Sequence, residues 1–330
     1  MTSGRRVPAR LLAALFTLGG AALFAWVVMR TGVSNILEGI QRVGWGLAII
    51  VALSGLRLAI RTASWRLCMA PGTTLTFRQA FSAYLAGDTV GTITPFGILA
   101  SEPTKVFLAR HHLAPRDSVT SLAAENIIYA MSVIVMVAVG LVVVLFTVPL
   151  DDRWRWSLVA ALAGLVAAVG AGTRLLRGTW NPSRGARPAW RERLAAARQA
   201  VVGFAALHPG RLWRVFALDL GFHMIAVLEA FMTLRWLLGD SPAPGVGEAS
   251  RSPTLAQAIA FEALNRVVLV AFKFVPFRIG VDEAITGAVS PMLAVNPAAG
   301  VTLAVVRKVR SLFWAGVGVA VIGAHPTRAR

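Results

Sequence analysis

Long apolar stretches dominate this sequence and constrain its fold more than any other feature. A helix needs roughly 20 apolar residues to cross the hydrocarbon core of a bilayer. Hydrophobic residues make up 56% of the chain and charged residues only 15%, a composition that is not typical of soluble globular proteins. We therefore predict an all-α, polytopic membrane protein, in which residues 1–330 form one integral membrane domain with about six transmembrane helices. The predicted spans are residues 10–29, 44–67, 118–148, 156–176, 212–238 and 298–322.

The start of the chain resembles a secretory signal peptide, because a basic segment at residues 1–10 precedes an apolar run at residues 11–29. That run is longer than a usual signal core, and no small-x-small cleavage site precedes Arg30. We therefore interpret it as a retained anchor. The single cysteine, Cys68, excludes an intramolecular disulfide. We expect no catalytic residue, metal site or cofactor, because the sequence offers no compact acid–base set or metal-binding motif.

Two further apolar stretches, residues 77–110 and 255–293, are interrupted by Gly, Pro and charged residues. We predict that each forms a re-entrant helical hairpin, which leaves the membrane on the side where it entered. With these two hairpins, the arginine-rich segments all lie on the same side of the membrane. The longest of them is the loop at residues 177–210. Cytoplasmic loops of membrane proteins carry an excess of Lys and Arg. The net charge of +18 thus predicts an inner-membrane protein with both termini in the cytoplasm, and does not indicate a nucleic-acid-binding surface.

The two interrupted stretches share a sequence pattern. The tetrapeptide PFGI begins at Pro95 and is followed by Glu102, and PFRI begins at Pro276 and is followed by Glu283 at the same offset. Three predicted crossings separate the spans that lead into the two copies, and an odd number inverts the second copy. Inverted repeats with Gly/Pro-interrupted segments at matching places indicate a transporter with its site at the repeat interface. The predicted repeat units are residues 44–148 and 211–323.

Ionisable side chains inside the predicted spans are the candidate site residues. A charge at mid-bilayer costs about 2.5–3.5 kcal/mol on insertion scales, so these groups should face a polar cavity or one another. They either bind a substrate or form fixed salt bridges, and Arg61 and Lys308 have the further alternative of extending to the membrane surface. The substrate-binding candidates are Arg57, Asp88, Pro95, Glu102, Lys105, Glu125, Pro276, Glu283, Arg307 and Arg310. Secondary candidates are Arg61, Asp219, His223, Arg266, Lys273, Asp282 and Lys308.

The hairpins also supply helix N-termini near the membrane midplane. Ser101 before Glu102 and Pro103 predicts an N-cap, and Asp282 with Glu283 predicts an acidic first turn in the second copy. Free N–H groups and the helix dipole attract anions such as a lipid phosphate. The two glutamates, however, bring negative charge to the same places. They are either capping acids or ligands for an amine-bearing headgroup, and the sequence leaves both open.

These segments resemble a known family. The run LAGDTVGTITPFGILASEPTKVFL, the Glu125-containing span, the run VPFRIGVDEA and the Arg-bearing last span are similar to the lysylphosphatidylglycerol synthase transmembrane region. Its members are flippase-like proteins related to the N-terminal half of the multiple peptide resistance factors. The resemblance extends over about residues 37–323. It implies a lipid-translocating membrane domain with two re-entrant units.

The chain departs from the family pattern at both copies. Members often have Gly-Gly or Gly before the first acid, where this chain has Leu99-Ala100-Ser101, and a Gly where this chain has Arg278. These departures affect the expected substrate more than the expected fold. The full-length synthases also carry an aminoacyl transferase domain that this sequence lacks. We therefore do not expect it to aminoacylate lipids.

Three functions are compatible with these features. The first is translocation of a polar or phosphate-bearing lipid, such as a phospholipid or lipid-linked precursor, through a polar cavity between the hairpins. The second is a membrane-embedded lipid-modifying enzyme, which the scattered histidines do not favour. The third is an accessory subunit of a complex with a separate lipid-synthesis enzyme. Membrane lipids are the expected partners, the expected activity is not enzymatic, and the sequence does not indicate the oligomeric state.

Overall fold

A computed structural model describes residues 9–94, 97–177, 203, 209–239 and 252–324 of the chain. Within these ranges, every regular element is helical. The α-helices are α1 (Ala9–Thr31), α2 (Val33–Val43), α3 (Gly46–Cys68), α4 (Phe77–Ile93), α5 (Ile98–Ala109), α6 (Pro115–Thr147), α7 (Asp152–Arg177), α8 (Pro209–Leu238), α9 (Leu255–Ala271), α10 (Val281–Val289) and α11 (Pro297–Ala324). Two 3-10 turns flank α10, at Pro276–Arg278 and Ser290–Leu293.

The protein is an all-α, multi-pass membrane protein, as predicted. Among the described residues, four helices are long and apolar enough to cross a bilayer, and they coincide with α3, α6, α7 and α8. The other two predicted spans correspond to α1 and α11. Helix α11 contains three cations in its middle, at Arg307, Lys308 and Arg310. That α1 and α11 also cross the membrane, which would give about six spans, therefore stays a prediction.

Helices α3 and α8 pack against each other and run in opposite directions. Arg57 contacts Glu229, and seven residues further along α3, Ser64 contacts Asp219, which lies ten residues earlier in α8. These helices are the first spans of the two predicted repeat units. Opposite directions at matching positions are what an inverted repeat requires.

The second helices of the two predicted units, α4 and α9, begin in the same way. Each has 17 residues, and each starts with a capping box. Thr76 accepts a hydrogen bond from the backbone of Gln79, and Thr254 accepts one from the backbone of Gln257. The glutamine side chain accepts from the threonine backbone in return, so two free N–H groups are satisfied at each helix start. This Thr-x-x-Gln signal was available in the sequence and strengthens the repeat.

Each broken segment packs against the last helix of the other predicted unit. Helix α4 lies along α11, and α9 lies along α6. Small residues allow this close approach, since a Cβ on Gly140 would meet Ala263 and a Cβ on Gly318 would meet Thr89. The two units are thus interlocked. Their boundaries stay a prediction, and most of the loop 177–210 and both ends of the chain lie outside the described residues.

The turn between α9 and α10 adopts backbone conformations that favour glycine. Phe277 has φ 50°, Arg278 has φ 48° and Gly280 has φ 80°. Glu283 caps α10, because its carboxylate accepts a hydrogen bond from the Gly280 backbone N–H at 2.9 Å. The predicted acidic first turn of α10 is therefore confirmed.

The predicted N-cap at Ser101 is wrong. Helix α5 begins one turn earlier, with Gly97 as its N-cap. The backbone N–H of Ser101 donates to the carbonyl of Gly97 at 2.8 Å, so Ser101 already belongs to the helix. Pro103 consequently lies inside α5 and not at its start.

Candidate functional site

Most of the predicted site residues lie in one buried layer of charge between the long helices and the hairpins. Burying an ionised group in a low-dielectric interior is costly unless it is paired and hydrogen-bonded. The structure supplies such partners, and they divide the layer into groups of two to four charges. The buried members are Arg57, Arg61, Lys105, Glu125, Asp219, His223, Arg266, Asp282 and Glu283, together with Glu229 and Glu262.

Arg61 is the centre of the first group. Its guanidinium lies 2.8 Å from a carboxylate oxygen of Glu125 and 3.7 Å from one of Asp219. Its Nε donates to the hydroxyl of Tyr84 at 2.9 Å, and its charge lies 3.6 Å from the centre of the Tyr129 ring. The alternative that Arg61 extends to the membrane surface is therefore wrong. One cation faces two acids here, so this group has an excess of negative charge.

A second group joins α3, α8 and α11 through Glu229. Arg57 donates to Glu229 at 3.0 Å, and Arg310 contacts the same carboxylate oxygen. The Arg57 guanidinium also lies 4.3 Å from the centre of the Phe222 ring. Two cations share one acid, so positive charge is in excess at this point.

A third group is built on Glu262 in α9, which is not among the predicted site residues. Arg266 donates to Glu262 at 2.6 Å, and Arg307 donates to its other carboxylate oxygen at 3.3 Å. Arg266 also donates to the hydroxyl of Tyr129 at 3.0 Å. The i,i+4 spacing of Glu262 and Arg266 on a helix was a signal that could have identified the pair. Positive charge is again in excess.

A fourth group surrounds the turn between α9 and α10. Lys308 contacts Glu283 at 2.6 Å and donates to the carbonyl of Arg278 at 3.2 Å. Arg278 in turn donates to both carboxylate oxygens of Asp282 at 3.0 Å. Extension of Lys308 to the membrane surface is therefore wrong as well. Pro276 opens the 3-10 turn in this segment, whereas its counterpart Pro95 lies outside the described residues.

In the first hairpin, Glu102 and Lys105 form an ion pair of 3.0 Å within α5. The Lys105 side chain is 4% exposed, whereas the Glu102 side chain is 29% exposed. Lys105 also lies 4.0 Å from the centre of the Tyr84 ring, which connects this pair to the Arg61 group. The second carboxylate oxygen of Glu102 is buried and has no hydrogen-bond partner among the described residues.

Asp88 and Lys273 differ from the rest because both are exposed, and neither side chain has a hydrogen bond or ion pair among the described residues. The cations that act on Asp88 include Lys105, Arg57 and Arg278, which belong to α5, α3 and the second hairpin. Asp88 therefore lies within electrostatic reach of cations from both hairpins, and α4 itself contacts the 3-10 turn at Pro276–Arg278. Lys273 is acted on by the charges of Glu102 and Lys105 in the first hairpin.

His223 does not act together with Asp219, although their i,i+4 spacing predicts one helix face. The imidazole of His223 is hydrogen-bonded to Ser132 at 3.1 Å and stacks on the Tyr129 ring at 5.7 Å. Asp219 accepts a hydrogen bond from Ser64 at 3.0 Å. The two side chains therefore connect α8 to different helices.

Charges of opposite sign are separated within this buried layer. Excess positive charge lies around Glu229 and Glu262, and excess negative charge lies around Arg61. Guanidinium groups bind phosphate strongly, and carboxylates accept from amines and hydroxyls. The described residues thus bring together groups suited to both parts of a zwitterionic or phosphate-bearing polar ligand.

Comparisons with known proteins identify the family of this chain. A search of curated proteins and a search of solved structures gave no match. The family model described as the lysylphosphatidylglycerol synthase TM region matches residues 10–319, which is nearly the whole chain. The chain therefore belongs to the lysylphosphatidylglycerol synthase transmembrane region family, whose membrane domains act in lipid metabolism or transport.

Proposed function

We propose that this protein translocates a polar or phosphate-bearing lipid between the two leaflets, through a polar cavity between its two re-entrant hairpins. The observation that carries the proposal is Asp88, an exposed acid without a partner among the described residues, in a layer where most charges are paired. An intramembrane charge is usually functional. An acid that the protein itself does not neutralise is available to a ligand.

The distribution of charge favours a headgroup with both signs. Four arginines share two carboxylates in the second and third groups, which leaves guanidinium capacity for a phosphate. Asp88 and the half-buried Glu102 are the acids available to an amine or hydroxyl, since Glu125 and Glu283 are fully buried against cations. Glu125 and Glu283 are thus better explained as structural ion-pair partners than as ligands.

The physical role of such a cavity is to replace the water that a headgroup loses. Moving a polar group into hydrocarbon without hydrogen-bond partners costs about 4–8 kcal/mol, and an ion costs far more. A path of fixed, compensated charges lowers that barrier while the acyl chains remain in the bilayer. No covalent chemistry is needed, and we propose that the chain acts as a translocase and not as an enzyme.

Reconstitution tests the proposal directly. Liposomes containing a fluorescent phospholipid are treated with an impermeant quencher, and the protein should let inner-leaflet lipid reach the quencher. Asp88→Asn should slow this exchange at least about tenfold, since it removes one full charge–charge contact of roughly 1.4 kcal/mol or more. Asp117→Asn is the matched control, because Asp117 is an exposed acid in the first turn of α6.

Other outcomes would assign a different function. Equal rates for the wild type, Asp88→Asn and protein-free liposomes would overturn translocation of the lipids tested. Release or modification of the headgroup by the purified protein would instead establish the enzyme. Co-purification with a lipid-synthesis enzyme, without movement of any lipid from a broad panel, would establish the accessory subunit.

A further inference from the structure

A groove lies on the outer side of the first hairpin, where α5 packs against α6. Its volume is about 560 Å³. Its walls are mainly apolar and include Val106 and Phe107 of α5 and Val119 and Leu122 of α6. Phe107 is 58% exposed and Val119 is 57% exposed, so the groove opens away from the protein core.

One wall of the groove is the first part of a helix that can span the bilayer. Helix α6 is one of the four helices that are long and apolar enough to cross the bilayer. An apolar groove on the side of such a helix accommodates the flexible chain of a lipid, and polar groups beside it must find partners there. This location argues against a water-soluble ligand.

The two ends of the groove carry opposite charges. At one end, the guanidinium of Arg110 lies 3.5 Å from the centre of the Phe107 ring and donates to the Phe107 carbonyl at 3.2 Å. Arg110 has no ion pair among the described residues, so its remaining N–H groups are available to a phosphate. At the other end lies Glu102, whose side chain is 29% exposed. Eight residues of helix separate Arg110 from Glu102, or about 12 Å.

We propose that the groove between α5 and α6 is the lateral entry site of the lipid. One acyl chain of a phospholipid occupies the apolar groove, and its phosphate binds Arg110. Glu102 is the next polar group along α5, and its ion pair with Lys105 leads to the Arg61 group inside the protein. The step from groove to interior rests on the proposed translocation, whereas binding in the groove does not.

Photo-crosslinking tests the occupancy of the groove. Purified protein is incubated with a phosphatidylethanolamine that has a diazirine on one acyl chain, illuminated, digested and mapped by mass spectrometry. We expect adducts within residues 98–126. Unlabelled phosphatidylethanolamine should compete for them, and glycerol phosphate, which lacks acyl chains, should not.

Two variants with matched controls make the test specific. Val119→Trp fills the groove and should reduce the adducts at least about fivefold, whereas Val139→Trp alters an exposed position of α6 that does not line it. Arg110→Gln should weaken competition by the unlabelled lipid about fivefold or more, since it removes a charge-assisted hydrogen bond to the phosphate. Arg116→Gln changes an exposed arginine outside the lining and should have no effect.

The outcomes separate this inference from the proposed function. Equal labelling of Val119→Trp and the wild type would overturn the entry site. A second outcome would also overturn it: the wild type is a dimer without lipid adducts, and Val119→Trp is a monomer. The groove would then bind a second copy of the chain. If the lipid labels the groove specifically but the protein moves no lipid, the groove is a lipid-binding site and the proposed translocation is wrong.

Discussion

At the scale of single residues, the structure divides the buried charges into two kinds. Most are partners in ion pairs, and removal of one partner leaves a buried charge uncompensated. Asp88 and Lys273 are exposed and without partners in the described part of the chain. The first kind should affect stability when mutated, and the second should affect function with little change in stability.

Glu229 provides the sharpest test of the first kind. Its carboxylate lies 3.0 Å from Arg57 and also contacts Arg310, and all three side chains are largely buried. Glu229→Gln leaves two neighbouring arginines without a counter-charge, at a cost of about 3–5 kcal/mol. We expect the melting temperature of the detergent-purified protein, followed by tryptophan fluorescence, to fall by more than about 5 °C.

Glu38→Gln is the matched control for this change. Glu38 pairs with Arg42 at 3.9 Å, but both side chains are 62% exposed. Such a pair contributes at most about 1 kcal/mol. If the Glu229→Gln and Glu38→Gln proteins had the same melting temperature, Glu229 would not be a structural ion-pair partner. A role in binding would then be the better explanation.

The residue scale is also where sequence-based prediction was least complete. The sequence indicated that Arg57, Arg61 and Arg307 must find partners, but not which ones. Arg57 and Glu229 are 172 positions apart, and only the packing of α3 on α8 brings them together. Glu262 is not among the predicted site residues, although Arg266 lies four residues further along the same helix.

At the scale of elements, apolar length alone was a good guide. The six predicted spans each correspond to a helix whose ends differ from the prediction by a few residues. The ends of helices were less predictable where two nearby residues could each act as the N-cap. Ser101 has a good capping side chain, yet Gly97 begins α5 because its carbonyl accepts from the backbone of Ser101. Arg278 has φ 48°, a conformation that favours glycine, so the Gly expected there from the family resemblance has a backbone explanation.

The close packing of α4 on α5 gives a prediction for the first hairpin. A Cβ on Gly87 would lie 2.5 Å from the side chain of Lys105 and 2.9 Å from the carbonyl of Ser101. Because that carbonyl belongs to the helix backbone, α5 must shift to admit even a methyl group. Gly87→Ala should therefore lower the melting temperature and, if the hairpin forms the lipid path, slow lipid exchange.

Gly164→Ala is the control for this substitution. Gly164 lies in α7, and a Cβ there meets nothing within 4 Å among the described residues. Ala is favoured over Gly in a helix by about 0.5–1 kcal/mol, so this variant should be as stable as the wild type or slightly more stable. A Gly87→Ala protein that behaves like Gly164→Ala would show that α4 and α5 pack less tightly than the structure indicates.

At the scale of the whole molecule, the net charge of +18 has two origins. Arginines of the predicted cytoplasmic loops supply one part and orient the chain. Buried cations supply the other part, and acids from distant segments compensate most of them. The interlocking of the predicted units provides these acids, because each broken segment packs against the last helix of the other unit. We therefore expect orientation and the proposed function to depend on different subsets of the basic residues.

The orientation of the chain tests both the positive-inside assignment and the re-entrant path of the second hairpin. Between residue 150, just before α7, and residue 330, the proposed topology has three crossings, made by α7, α8 and α11. A cytoplasm-active fluorescent reporter fused after residue 330 should therefore be active, and an export-dependent phosphatase fused after residue 150 should be active. If the second hairpin crossed the membrane instead, a fourth crossing would place both sites on the same side. A third outcome is phosphatase activity after residue 330 and fluorescence after residue 150. This outcome would support three crossings but the opposite orientation, because the number of crossings and the charge bias are independent properties of the chain.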